Sequence, residues 1–338
     1  MHSLLLTADD FVECCVRNDY DRIMDGKIIV GVSACLLGEK VRYDGGHKHD
    51  RFITDTLGKF FSYMPVCPEV ECGLPVPREA MHLEGEVDDP RLVTLHTGID
   101  HTTRMKDWSR SKLDELEGAG LCGFLFKSKS PSSGMRGVKV YRDASRTVYS
   151  GTGLFAAAFM QRFPLIPVED EGRLHDPGLR ENFIERVFVY RRWQELAGHP
   201  GGAARLVQFH TRHKYLIMAH SPKHLAQLGK IVANVRDNDA GTMETYFTTL
   251  MGALRLIATV SKNTNVLLHI MGYFKRDLEH VEKEELLEVI ERYRRGLIPL
   301  IVPVTLLNHY VLKYDQPYLK NQYYLNPHPV ELMLRNHV

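Results

Sequence analysis

The sequence predicts an α/β N-terminal domain with a mostly parallel sheet, followed by an all-α C-terminal domain. Three observations carry this prediction. Short apolar runs ending in small or thiol residues occur at IIVGVSAC (28–35), YMPVC (63–67) and GFLF (123–126). Helix-period segments separate them, the alternation of parallel strands joined by crossovers. Beyond residue 200 the strand pattern stops, and helix-start and helix-stop signals replace it.

Taken in order, residues 1–25 read as an N-terminal extension with one short helix. The domain proper spans 26–169. It holds a strand in KIIVGVSACLLG (27–38), a helix over 51–60, the YMPVC strand and a helix over 100–118 that ends in glycines. FLF, GVKVY (137–141), a helix over 153–162 and a last strand FPLIPV (163–168) complete it. Residues 170–199 form a connector and a long helix started by Asp176 and Pro177. After the turn GHPGG (198–202), residues 200–338 form a helical domain with an extended tail. Ser221-Pro222 starts one helix there, Thr242 caps another, and a third runs over 282–296 to Gly296. Pro299 and Pro303 flank the next start, and the tail 316–329 is aromatic and proline-rich.

Composition sets bounds on function. Of the 338 residues, 44% are hydrophobic, and the formal net charge is +1, which excludes a polycation. Residues 1–200 carry 26 Lys and Arg against 30 Asp and Glu; residues 201–338 carry 17 against 12. That mild asymmetry permits an anionic partner for the second half. There is no 18-residue apolar run and no basic leader in MHSLLLTADDFVECC, so the expectation is a cytoplasmic protein without a membrane span. Six cysteines in a chain of this length do not make a disulfide scaffold. Close-spaced thiols then point to metal or catalysis.

In open α/β sheets, ligands sit beyond the carboxyl ends of the strands. The loops carrying Cys35, Cys67 and Ser130 all follow strands and should converge on one crevice. Cys67 and Cys72 form a C-x4-C pair in PVCPEVECGLPVPRE (65–79). Cys35, Cys67 and Cys72 as three thiolates with an open fourth position suit an iron–sulfur cluster with one exchangeable iron. Zinc prefers four closed ligands, and inert buried thiols remain a competing reading at this point. Cys122 lies at the opposite end of its strand and reads as a core thiol, and nothing ties Cys14 or Cys15 to the crevice. Glu69 and Glu71 on an extended segment would point the same way. A buried carboxylate there is a natural acid or base, and Glu71 is the better candidate for a solvated face.

LLGEKVRYDGGHKHD (36–50) places Arg42, Asp44 and Lys48 around an Asp-Gly-Gly turn, suited to a phosphate or a base edge. KSKSPSSG (127–134) brings Lys127, Ser128, Lys129 and Ser130 into a loop of the kind that grips anions. In the second half, His210, His213 and Lys214 share a helix face. They are a phosphate-contacting stripe, a solvated face or buried, hydrogen-bonded histidines. Tyr323 and Tyr324 either stack on an unpaired base or dock into the core.

SACLLGEKVRYDGG, PVCPEV…GLPVPRE and KSKSPSSGM, in this order, resemble the thiouracil desulfidase family over roughly residues 26–165. Residues 200–320 resemble the helical domain often fused to it, through LVQFHTRHKYLIMAHS, NVLLHIMGYFK and YRRGLIPLIVPVTLLNHY. The fused form is similar to a bacterial desulfidase acting on 4-thiouridine in tRNA. The resemblance implies a 4Fe–4S cluster held by three cysteines, with the fourth iron open to the substrate sulfur. Cys35 and Cys67 match two ligands. The third family ligand sits in the SPSSG-like loop, where this chain has Ser133. Cys72, a softer ligand than a hydroxyl, is the expected replacement, and Ser133 is the alternative.

Glu69 and Ser130 match the residues that handle proton transfer and substrate positioning. The implied reaction releases sulfide and uridine with no net redox change. The implied partner is tRNA or a thiolated nucleotide, with the base turned out of its stack and phosphates held by the basic helical domain. Two other classes compete: a metal-stabilised RNA-binding protein without turnover, and a scavenger of free thiouracil. Nothing in the sequence sets an oligomeric state.

Overall fold

The computed structural model describes residues 28–143, 146–197, 202–236 and 240–337. The extension 1–25 with Cys14 and Cys15, and turn residues 198–201, lie outside the described residues. The chain divides into two compact units, Met1–Arg162 and Phe163–Val338.

In the first unit, β1 (Ile28–Ser33) pairs in parallel with β2 (Phe61–Val66) on one side and β5 (Gly123–Phe126) on the other. IIVGVS is buried at nearly every position, as a central strand covered on both faces must be. Gly31 has a specific task here. A Cβ at that position would lie 2.3 Å from Phe124 Cδ2. Phe124 stacks on Phe126 with centroids 4.3 Å apart and meets Phe155 and Phe159 of helix α3 (Leu154–Arg162). This cluster of buried rings fixes β5 and the start of α3 against each other.

The other elements of this unit are α1 (Pro68–Glu71), α2 (Thr102–Glu117) and a second sheet. That sheet has the order β4-β3-β6-β7, from β3 (Met81–Gly85), β4 (Pro90–Thr94), β6 (Val138–Asp143) and β7 (Arg146–Gly151). Its outer pairs are antiparallel and its central pair, β3 with β6, is parallel. The sequence reading reaches only β6 of these four. The helix predicted over 51–60 is instead a π turn, Phe52–Thr56, followed by a 3-10 turn, Leu57–Lys59. Asp50 Oδ1 starts it by accepting the N–H groups of Phe52 and Ile53.

The second unit is helix-rich: α4 (Pro177–Ala197), α5 (Gly202–His220), α6 (Pro222–Ala233), α7 (Ala240–Leu254), α8 (Val260–Met271), α9 (His280–Arg294), α10 (Ile301–Lys313) and α11 (Pro317–Lys320). Asp176 Oδ1 accepts the Leu179 N–H at 2.9 Å, and the Ser221 hydroxyl accepts that of His224, so both predicted caps form. Thr242 does not stand at the cap position, because α7 already begins at Ala240. The predicted strand over 163–168 is reduced to β8 (Val168–Asp170), since Pro164 and Pro167 cannot donate to a ladder. The tail is not extended. It folds into α11 and turns, with Leu319, Tyr324 and Leu325 buried in the helical core, where Trp193 stacks on Phe247 at 4.6 Å. Among the described residues, no helix is long and apolar enough to cross a membrane.

Candidate active site

Three strand ends build the site. β1 runs into a tight turn, Ala34–Leu37, that buries Cys35 and closes on Gly38 at φ 95°. The Lys48 and Asp50 N–H groups donate to the carbonyls of Cys35 and Leu36, each at 2.9 Å, which folds the 38–50 loop back over the thiol. β2 ends at Val66 and hands Cys67 to the start of α1, with Pro68 at its first position. β5 continues into 127–134, tied to β1 where the Lys127 N–H donates to Ser33 Oγ at 2.9 Å.

The 130–134 loop is held by main chain. Gly134 N–H donates to Ser130 O at 2.8 Å, while Leu154 and Phe155 N–H, at the start of α3, donate to Pro131 O and Ser132 O at 3.1 and 3.0 Å. The unpaired donors of a helix start thus find their acceptors in this loop. A Cβ on Gly153 would lie 2.6 Å from the Ser132 carbonyl, so only glycine permits this approach.

These loops enclose a cavity of about 410 Å³. Cys35, Cys67, Glu69 and Ser130 line it, as do Arg42, Lys127 and Ser128, and so does Ser133. Asp44 does not. It is exposed, its Oδ1 accepts the Gly46 N–H at 3.0 Å and the Arg42 Nε at 3.4 Å, and so it shapes the turn that presents Arg42. The Gly46 hydrogen bond holds the Asp44 carboxyl below its ordinary range.

Cys72 does not line the cavity either, which corrects the expectation that it is a third ligand. Residues 68–71 form a helical turn rather than an extended loop. The five-residue offset from Cys67 to Cys72 is not a whole number of 3.6-residue turns. Cys67 Sγ approaches Val41 O at 3.8 Å. Cys72 Sγ donates to Glu69 O at 3.2 Å and packs against the cluster of Leu83, Leu92 and Met105. Burial pushes both thiols above their ordinary pKa.

The same turn separates the two glutamates, which do not point the same way. Glu71 Oε1 accepts the Cys67 N–H at 2.7 Å, and its Oε2 pairs with Lys112 at 3.2 Å. Glu69 instead forms an ion pair with Arg78. Its Oε2 accepts from Arg78 Nη2 and from Nε at 2.9 Å, and its Oε1 accepts from Ser132 Oγ at 2.8 Å. Ser130 Oγ lies 3.0 Å from Ser132 Oγ, which extends the network along the cavity wall. Arg78 also donates to Val41 O at 3.0 Å and so ties the Arg42 loop to the same carboxylate.

Sequence reasoning missed Arg78 and Ser132. Both stand inside motifs singled out above, GLPVPRE and SPSSG, but no chemical cue sets them apart from their neighbours. Five cationic side chains line the cavity, Arg42, Lys48, Arg78, Lys127 and Lys129, against the single carboxylate of Glu69. Among the described residues, no three or more His, Cys, Asp or Glu are grouped to hold a metal. The cavity instead joins two thiols and a hydroxyl.

Of the candidates of the second half, His213 and Tyr324 are core and His210, Lys214 and Tyr323 are half-buried. His213 is wholly buried, with Nδ1 2.7 Å from Phe209 O and its ring between Phe209 and Tyr323. Burial pushes its pKa far down, so it is neutral. His210 meets the Tyr246 hydroxyl at 3.0 Å. Tyr324 is fully buried and donates to Asn263 Oδ1, and Tyr323 lies 3.8 Å under the Arg192 guanidinium.

Residues 30–171 match the family model of 2-thiouracil desulfurase, and residues 214–329 match that of a protein of unknown function (DUF1722). The chain is similar to the uncharacterized protein YbgA of Escherichia coli (strain K12), 30% identical over 158 residues that make up 46% of this chain and 94% of that protein. It is also similar to a solved structure, the [4Fe-4S]-dependent thiouracil desulfidase TudS. There the identity is 33%, with 46% of this chain and 98% of that chain covered, at a TM-score of 0.37.

Proposed function

The chain belongs to the 2-thiouracil desulfurase family, with a DUF1722 domain in its second half, and on that premise we propose that it removes sulfur from a thiolated pyrimidine by hydrolysis. The substrate in this reading is 4-thiouridine, in tRNA or as its nucleotide. The ring C=S and one water become C=O and hydrogen sulfide, released as hydrosulfide and a proton, with no net change of oxidation state. One observation carries the reading. A single cavity joins two thiols and the Glu69 carboxylate to a wall with five cationic side chains. Free thiouracil has no phosphate to engage those cations, whereas a nucleotide or a tRNA does.

The donor set suits a 4Fe–4S cluster. Cys35 and Cys67 are soft ligands at converging strand ends, neither in a disulfide. They would hold the cluster. When bound, the cluster supplies a Lewis acid at its open iron, which draws electron density from the thione sulfur.

Glu69 is the base. A carboxylate offers about four lone-pair sites; Arg78 supplies two donors to Oε2 and Ser132 one to Oε1, which leaves Oε1 able to accept from water. Arg78 and Ser132 hold the carboxylate in one orientation as it takes the proton. Ser130 lines the same wall and, through its contact with Ser132 Oγ, positions the hydroxyl that holds Glu69. Arg42, Lys127 and Ser128 hold the phosphate.

The test is an anaerobic turnover assay on the full chain loaded with iron and sulfide. It compares 4-thiouridine in tRNA, 4-thiouridine monophosphate and free thiouracil, read as loss of the thione absorbance and release of sulfide. The expected order puts both phosphate-bearing substrates ahead of thiouracil. Equal rates on all three would remove the cations from substrate binding. Binding of tRNA without loss of absorbance would replace the enzyme by an RNA-binding protein.

A further inference from the structure

We propose that Tyr43 is the stacking platform for the pyrimidine ring of the substrate, and so selects a nucleotide over other phosphate-bearing molecules. This rests on the substrate reading above and deepens it: the cations already named meet the phosphate, and Tyr43 meets the nucleobase. Among the described residues that line the cavity, Tyr43 carries the single aromatic ring. The cations and hydroxyls of the wall can engage a phosphate and the edges of a pyrimidine. The faces of that ring offer no hydrogen bond, and what answers them is another π face. A nucleobase turned out of its stack has lost such neighbours. One aromatic side chain restores part of that contact, whatever nucleotides lie to either side.

The fold holds this ring out at the cavity while fixing the backbone beneath it. Residues 42–45 form a tight turn, closed where the Gly45 N–H donates to Arg42 O at 2.9 Å, with Tyr43 and Asp44 as its central residues. Arg78 fastens the turn twice. Its main-chain N–H donates to Tyr43 O at 2.8 Å, and its Nη2 donates to Val41 O at 3.0 Å. The same arginine holds Glu69, so the ring and the catalytic carboxylate are set by one side chain. Tyr43 is nonetheless 43% exposed, and its ring is met by the Arg42 guanidinium, 5.6 Å from the centroid. A phosphate-binding group thus stands beside an aromatic face, as a nucleotide requires, since its phosphate and its pyrimidine are joined through one ribose. An exposed tyrosine elsewhere on a surface would mean little. This one lines the cavity, is anchored through the partner of Glu69 and neighbours an anion-binding residue.

The experiment uses the full chain loaded anaerobically with iron and sulfide, in wild type, Tyr43→Phe, Tyr43→Leu and Tyr43→Ala. Calorimetry measures the binding of two probes: uridine monophosphate, and ribose 5-phosphate, which keeps the sugar phosphate and lacks the pyrimidine. Turnover of 4-thiouridine monophosphate gives KM and kcat separately. Tyr43→Phe is expected to match wild type throughout. Tyr43→Leu and Tyr43→Ala are expected to bind uridine monophosphate about tenfold more weakly, within the range for stacking one nucleobase on one ring. Their KM should rise by a similar factor with kcat unchanged, as for a contact made equally in ground and transition states, and their binding of ribose 5-phosphate should stay as in wild type. Wild-type affinity for uridine monophosphate in Tyr43→Ala overturns the inference and leaves the substrate reading standing. So does an equal loss for both probes, which would reduce the ring to a support for Arg42. A wild-type chain that binds neither probe and turns over no 4-thiouridine monophosphate overturns the substrate reading, and this inference with it.

Discussion

Two arginine-paired carboxylates, one in each unit, share a partner type and differ in everything else. In the first unit Glu69 pairs with Arg78 beside a cavity of about 410 Å³, with its side chain 14% exposed. In the second, Glu185 is 4% exposed and lies 2.5 Å from His220 Nε2 and 3.5 Å from Arg335. The cavity beside it is only about 120 Å³. Arg335 is itself held by Glu181 at 3.1 Å and by Tyr324 O at 2.6 Å, and His220 Nδ1 meets Leu256 O at 2.5 Å. Burial pushes Glu185 up, and His220 with Arg335 more than reverses this, leaving its carboxyl below the ordinary range. Both Glu185 oxygens and both His220 nitrogens are answered by the protein. A buried ion pair therefore does not mark a site. What marks one is capacity left over: at Glu69 a lone pair, two thiols, a hydroxyl and more positive charge than its one carboxylate balances.

The same substitution at each carboxylate tests that contrast. Glu69→Gln should lower sulfide release by about 10²–10⁴-fold, the range for losing a general base, while iron content and spectrum stay as in wild type. Undiminished release would remove Glu69 from the chemistry. Glu185→Gln should instead cost about 3–5 kcal/mol of stability, because it removes the buried carboxylate that His220 Nε2 and Arg335 share. A denaturant melt checks this, and the transition of the second unit is the one that should move. An unchanged melt would mean that the network is surface-like in its energetics.

Acid sharpens the contrast less severely. Burial lowers His328 to about 4 from an ordinary 6.5. Between those values the unfolded chain binds a proton at this histidine and the folded chain does not. Stability therefore falls as pH drops through that window. A melt at pH 4.5 should show a loss of about 2–3 kcal/mol relative to pH 7 from this group, and His328→Gln should flatten the dependence. The smallest effect belongs to Ser132→Ala. Removing one of the three donors on Glu69 should slow turnover by about tenfold, about the worth of one hydrogen bond to a charged group, with iron retention unchanged. If Ser132→Thr restores the rate, the role is positioning.

The reach of the sequence follows from the kind of pattern each element leaves. IIVGV and FLF are continuous apolar runs on central strands, so the three strand-end loops and their convergence were legible. β3, MHLEG, buries only Leu83 fully, and its neighbours are half-exposed, so neither a run nor a clean alternation announces the second sheet. Thiol spacing was legible, but thiol direction was not. Spacing along the chain has no direction until the backbone is known to be helical or extended. Pro68 directly after Cys67 was the cue for a helical turn and would have separated Cys72 from Cys67, and Glu71 from Glu69. For Tyr323, Tyr324 and His213 two readings stayed open, since a ring reads the same whether it faces solvent or another ring.

Because the 130–134 loop is fastened by its own main chain and by the start of α3, the side chain at position 133 is free to vary without refolding anything. A lineage bearing this fold can thus retune the chemistry of one cavity wall while the carboxylate of Glu69, held from a different element, stays where it is.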